Sequence, residues 1–151
     1  MNIALMAHDG KKELMVQFCI AYCGILAGHD LCATNTTGRA IAEATGLPFT
    51  LYLPGSQGGG QQIGARIAYN ELDLVLFFCD ASGREDTKEV DAIARLCDQH
   101  NIPFASNVAT AEVLIQGLRR GDLDWRDIVN PKKKSPAFYA PPFLPGRRPF
   151  Y

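Results

Sequence analysis

The side chains of this chain that could do chemistry fall in a few short stretches. His8-Asp9 stands with Lys12, and Thr34-Asn35-Thr36-Thr37-Gly38 clusters three hydroxyls. Pro54-Gly55-Ser56-Gln57-Gly58-Gly59-Gly60 is a glycine-rich loop, and Cys79-Asp80-Ala81-Ser82 brings a second aspartate. Lys12 with Thr34, Thr36 and Thr37 beside a helix start would cradle a phosphate: the ammonium supplies charge, and the hydroxyls and free N–H groups supply hydrogen bonds. The glycine-rich loop has no charged side chain. Its backbone can wrap closely around a small anion, but it holds no acid or base. It also lacks the Gly-Lys-Ser/Thr ending of a Walker loop and the spacing of a dinucleotide fingerprint. Taken singly, each stretch has an ordinary reading. Thr36-Thr37 would cap a helix, His8 would be satisfied by a backbone group, and Asp80 would close a turn.

What joins these stretches is the order of the elements that must position them. Apolar runs predict strands over 2–7, 30–33, 48–53, 72–78 and 102–105. Period-3.6 patterns predict helices over 10–26, 37–44, 61–70, 86–100 and 110–118. In the first helix Leu14, Met15, Phe18, Tyr22 and Leu26 form the apolar stripe, and Gly46 is placed to close the second. Strands alternating with helices predict an α/β fold, a single-domain, doubly wound, mostly parallel five-stranded sheet flanked by helices. In such a sheet ligands bind at the carboxyl ends of the strands. Each stretch named above follows a predicted strand, as does Ser106-Asn107-Val108-Ala109-Thr110. Their conjunction at successive strand ends favours a shared site over the separate ordinary readings.

Composition bounds the rest. The chain has 151 residues, 47% hydrophobic and 21% charged, the profile of a soluble globular domain. The net charge of -1 gives no reason to expect nucleic acid or an acidic membrane surface. No apolar run suits a membrane span, and the start has no signal-peptide pattern. The five cysteines, Cys19, Cys23, Cys32, Cys79 and Cys97, lie mostly in apolar patterns and read as small hydrophobes of a reducing cytoplasm rather than metal ligands. No metal is expected. Residues 1–130 read as one domain. The segment 119–130 is charged, with a helical turn expected around Trp125, and 131–151 is a proline- and aromatic-rich tail. Phe138, Tyr139, Phe143, Phe150 and Tyr151 could dock on a neighbouring subunit, or the tail could be solvated.

Several blocks also resemble the methylglyoxal synthase family. They are Ile3-Ala4-Leu5-Met6-Ala7-His8-Asp9, Ala33-Thr34-Asn35-Thr36-Thr37-Gly38, Gly58-Gly59-Gly60-Gln61-Gln62-Ile63-Gly64-Ala65, Phe77-Phe78-Cys79-Asp80 and the segment from Asn101 to Ala111. The resemblance runs in order from Asn2 to about Pro131. It implies a cofactor-free cytoplasmic lyase, a homohexamer, that converts dihydroxyacetone phosphate to methylglyoxal and inorganic phosphate. By resemblance, Lys12, Thr34, Asn35, Thr36, Thr37, Pro54 and Gly55 line the phosphate site, and His8 and Asp80 border the reacting atoms. In the family an aspartate removes a proton beside the carbonyl, and the ene-diolate then expels phosphate.

The departures bear directly on that chemistry. The family's catalytic aspartate is replaced by Gly60, a serine among its phosphate ligands by Pro54, and a glycine by Asn35. Its loop after Asp80 carries a histidine. Here 82–89 is one residue shorter and acidic without one, and Glu89 falls where the family has a further aspartate. A positioned base is worth about 10²–10⁴ in rate and an oxyanion donor about 10²–10³. The expectation is a protein that binds dihydroxyacetone phosphate or a related phosphate ester, with elimination weakened or lost. A base relocated to Glu89, Glu85, Asp86 or Asp80 would restore it. The alternative is a non-catalytic phosphometabolite-binding or regulatory module.

Overall fold

A computed structural model describes residues 1–131; the expected docking of the tail aromatics lies outside them. Five strands form one parallel sheet: β1 (Asn2–Ala7), β2 (Asp30–Thr34), β3 (Thr50–Tyr52), β4 (Leu74–Phe78) and β5 (Phe104–Ala105). Their order is β3-β2-β1-β4-β5. All four pairings are parallel, with Leu5 opposite Ala33 on one side and Leu76 on the other. The helices are α1 (Lys12–Ala21), α2 (Cys23–Leu26), α3 (Asn35–Thr45), α4 (Gly59–Ala68), α5 (Lys88–Gln99), α6 (Val108–Arg120) and α7 (Trp125–Val129). The doubly wound α/β sheet expected from the alternation is therefore the fold.

Both faces of the sheet are covered, which is why its central strands read as unbroken apolar runs. Alternation along β1 and β4 feeds two cores. Ile3, Leu5, Leu74, Leu76 and Phe78 pack with Met15, Phe18, Ile41 and Ile115 of α1, α3 and α6. Ala4, Met6, Val75 and Phe77 pack with Ile63, Ile67, Val90, Ile93 and Cys97 of α4 and α5. Gly38 permits α3 to sit close on the sheet: a Cβ there would come within 3.0 Å of the Ala33 Cβ and closer still to Leu51.

Two expectations are corrected. The predicted helix over 10–26 opens with a 3₁₀ turn, Asp9–Lys11, and breaks at Tyr22, whose φ of −110° and ψ of 23° leave the helical region. Leu14 is exposed while Cys19 is buried, so the inward stripe is rotated toward Met15, Phe18 and Cys19. None of the five cysteines forms a disulfide. Burial pushes the Cys32 thiol up to about 11 and that of Cys97 up to about 12, so both stay protonated as small apolar groups. No helix among the described residues is long and apolar enough to cross a membrane.

The charged segment after α6 is anchored by a buried ion pair. Arg126 in α7 is 2% exposed and Asp73 is 0% exposed. Arg126 Nε donates to Asp73 Oδ1 at 3.1 Å, and its other nitrogens donate to Asn70 Oδ1 and to the carbonyls of Leu72 and Asn101. Asp73 Oδ2 accepts from the Asn2 N–H at 2.8 Å. The guanidinium fork thus ties α7 to the ends of β1 and β4 away from the pocket described next.

Candidate functional site

β1 lies at the centre of the sheet, and the chain leaves it toward β2 on one side before crossing back to β4 on the other. Such a reversal opens a crevice at the carboxyl ends of the strands. A pocket of about 460 Å³ occupies it. Met6, Ala7, His8, Asp9 and Lys12 come from the end of β1, and Thr34, Thr36 and Thr37 from the β2–α3 junction. Pro54, Gly55 and Ser56 follow β3, Phe77 lies on β4, Glu85 comes from the segment leading into α5, and Glu89 from its first turn.

One end is built for an anion. Thr34 is the N-cap residue of α3, yet its side chain makes no capping hydrogen bond. Thr36 Oγ1 instead accepts from Lys12 Nζ at 2.9 Å. Thr37 is 1% exposed, and its Oγ1 has no partner among the described residues. A buried polar group left unpaired costs about 1–3 kcal/mol, and a ligand oxygen in the pocket would relieve it. Capping therefore does not account for these threonines. The Asn35 N–H at the start of α3 donates to the Leu53 carbonyl at 3.4 Å, which leaves the N–H groups that follow it to serve an anion. Lys12 Nζ also sits 2.7 Å from Asp9 Oδ1, and the hydrogen bond and charge of Lys12 hold the Asp9 carboxyl below its usual range. The glycine-rich loop forms a 3₁₀ turn, Gly55–Gln57, starting at Pro54 and stopped by Gly58 at a left-handed φ of 103°. That turn brings Ser56 into the lining, two residues beyond the position where Pro54 lacks a hydroxyl.

The other end holds His8. The Asp80 N–H donates to His8 Nδ1 at 2.8 Å. Nδ1 is thereby an acceptor, and the neutral ring carries its proton on Nε2. The Phe77 ring meets the imidazole edge-on at 5.2 Å. Glu85 Oε2 lies 3.5 Å from the same Nδ1. With Nδ1 already accepting, no hydrogen bond joins the two in the neutral ring, and Glu85 Oε2 is buried without a partner. Glu85 Oε1 accepts from the Asp9 N–H at 3.2 Å. Burial raises the Glu89 carboxyl above its ordinary value, an effect partly offset by His8.

Not every expected residue joins the pocket. Asp80 fixes His8 through its N–H, but its carboxylate accepts from the Ser82 N–H at 3.0 Å and lies outside the lining. That local bond pulls its pKa below the usual carboxylate range. Asn35 Oδ1 accepts from Arg39 Nε one turn along α3, and Asn35 is also outside the lining. Gly60 is buried in the first turn of α4, behind Glu89. Met6, Ser56 and Phe77 line the pocket without having been given a role in the sequence, and Glu85, expected as one of four places for a relocated base, lines it too. The acidity of 82–89 was the only signal for Glu85.

Comparison with known proteins now decides the family. A family model described as an MGS-like domain matches residues 15–106, and a methylglyoxal synthase of Caldicellulosiruptor saccharolyticus is 62% identical over 133 residues. The chain belongs to the methylglyoxal synthase family. That relative is matched over 87% of this chain and 94% of its own length. A methylglyoxal synthase of Geobacillus thermodenitrificans is 52% identical over 136 residues, 89% of this chain and 94% of the relative. The crystal structure of methylglyoxal synthase from Elizabethkingia anophelis is similar with a TM-score of 0.73 at 32% identity, covering 90% of this chain and 93% of that one. The methylglyoxal synthase likeness thus spans both the sheet and the loops that form the pocket.

Proposed function

We propose that the pocket binds a triose phosphate, dihydroxyacetone phosphate first among them, and eliminates its phosphate to give methylglyoxal at a rate below that of a fully equipped family member. The observation that carries the reading is the buried, unpaired Thr37 hydroxyl in one pocket with Lys12, Thr36 and the uncapped start of α3. The phosphate would lie there, with Thr34, Gly55 and Ser56 completing the cradle. His8 Nε2–H would then donate to the carbonyl oxygen as negative charge develops on it. Membership of the methylglyoxal synthase family supports the reaction class. The missing loop histidine is the reason for the lower rate.

Calorimetry tests the binding step. Inorganic phosphate and dihydroxyacetone phosphate should both give saturable heats, and Lys12→Met should weaken affinity by about 10–100-fold, the worth of a hydrogen bond to a charged group. Unchanged heats on titration of either anion into the unmodified protein would rule the reading out. A second reading, a non-catalytic phosphometabolite-binding or regulatory module, is favoured by one feature: position 60 carries no carboxylate. It predicts the same heats with no phosphate release. By the same resemblance we assign the protein to the cytoplasm as a homohexamer without a cofactor. The exposed Trp125, Ile128 and Val129 support a subunit contact, which sedimentation would reveal.

A further inference from the structure

Gly60 leaves the family's base position empty, yet the space beside it is filled. A Cβ built on Gly60 would lie 2.6 Å from Glu89 Oε1, and closer still to Glu89 Cδ and Oε2. Real Cβ contacts are essentially never that short, so a side chain at position 60 would have to push the Glu89 carboxylate, the free end of a flexible side chain, out of its present place. Glu89 lines the substrate pocket together with His8 and Lys12. It also lines the neighbouring cavity that runs over Gly60 and Gly64. Its side chain therefore passes between α4 and α5 and ends where a residue-60 side chain would begin.

We propose that Glu89 is the base of this site, its carboxylate standing in the space that the glycine at position 60 vacates, so that Gly60 and Glu89 form one compensated pair. The inference rests on the triose-phosphate reading above. Of the other acidic candidates, Asp80 and Asp86 lie outside the pocket lining, and Glu85 is held beside His8 Nδ1. Asp80 Oδ1 accepts from the Ser82 N–H, Asp86 Oδ1 accepts from the Lys88 N–H at the start of α5, and Glu85 Oε1 accepts from the Asp9 N–H. Each such bond ties a carboxylate oxygen to a backbone N–H, and for Asp80 it also holds the carboxyl below its usual range. Glu89 takes no hydrogen bond among the described residues and is partly desolvated, which leaves it the more basic.

The step balances. Glu89 takes a proton from the hydroxymethyl carbon, and the C–H electron pair becomes the double bond of an ene-diolate. The hydroxyl on that carbon passes its proton to the neighbouring oxygen and becomes a new carbonyl, the double bond shifts toward the phosphate-bearing carbon, and the C–O bond to phosphate breaks with its electron pair leaving on phosphate. The resulting enol takes a proton at its methylene carbon and becomes methylglyoxal. The proton held by Glu89 is returned, so no oxidant or reductant is needed.

The test compares the unmodified protein with Glu89→Gln and Gly60→Ala. It reads calorimetric affinity for dihydroxyacetone phosphate, phosphate release, and uptake of solvent deuterium at the hydroxymethyl carbon. Glu89→Gln should lower release and uptake by about 10²-fold or more, with affinity changed by less than about threefold. Gly60→Ala keeps Glu89 but pushes its carboxylate aside, and should lower both by roughly 10–100-fold. It carries the test should Glu89→Gln fold poorly. Gly60→Asp alone should gain little, because the new side chain displaces the Glu89 carboxylate. Gly60→Asp combined with Glu89→Ala should exceed Glu89→Ala alone in deuterium uptake. Uptake preserved in Glu89→Gln or in Gly60→Ala overturns the assignment. Binding without uptake by the unmodified protein overturns it too, and leaves the binding reading standing. No binding by the unmodified protein overturns both.

Discussion

Thr37 and Glu89 each hold a polar group in a position that costs the fold something, and each cost identifies a use. The Thr37 hydroxyl is 1% exposed and unpaired. Thr37→Val keeps the shape and removes the orphan, so thermal stability should hold or rise while phosphate affinity falls about tenfold, the worth of one good hydrogen bond to an anion. A melting curve and a titration on one preparation check both, and an unchanged affinity would deny the hydroxyl a ligand. Glu89 is raised from an ordinary value of 4.5 by burial. Between that value and its higher folded value the native state holds more protons than the unfolded chain, so stability falls as pH rises through the window. Glu89→Gln should flatten that slope. The catalytic rate has the opposite sign, rising with pH as Glu89 loses its proton, with an acid limb above the usual carboxylate range. These roles were only partly legible in the sequence. Strand ends pointed to Lys12, the threonines and His8, because topology alone brings them together. Asp80 and Asn35 carry plausible chemistry, but short-range partners, Ser82 and Arg39, claim their side chains.

The strands and most helices could be read from apolar periodicity because each is buried in the way its pattern requires. The break at Tyr22 could not, since both sides of it keep apolar residues at helical spacing and only the backbone at that residue departs. Nor could the anchoring of α7. Arg126 stands among charged neighbours in a segment that read only as a charged helical turn, and its burial depends on Asp73, 53 positions away. Arg126→Ala leaves the Asp73 carboxylate buried without its counter-charge, a loss typically of about 3–5 kcal/mol. Chemical denaturation should show that loss. Phosphate affinity should change little, because the ion pair lies at the end of the sheet away from the pocket. A loss under about 1 kcal/mol would mean that water replaces the guanidinium.

The whole molecule is a doubly wound sheet whose reversal at β1 opens one crevice, and the methylglyoxal synthase family uses such a chain as a lyase. On the proposed reading, this member would keep the phosphate end of the crevice and rearrange the reacting end. Ser56 lines the pocket two residues from Pro54, and the Glu89 carboxylate occupies the space beside Gly60. Both groups stand on loops and helix starts rather than on strands. Whether the rearranged site still performs the reaction is read most directly by phosphate release from dihydroxyacetone phosphate, at saturating substrate and high concentration of the unmodified protein. The prediction is release above buffer that rises in proportion to protein and is accompanied by methylglyoxal in equal amount. Release indistinguishable from buffer, from a protein that binds the substrate, would contradict it.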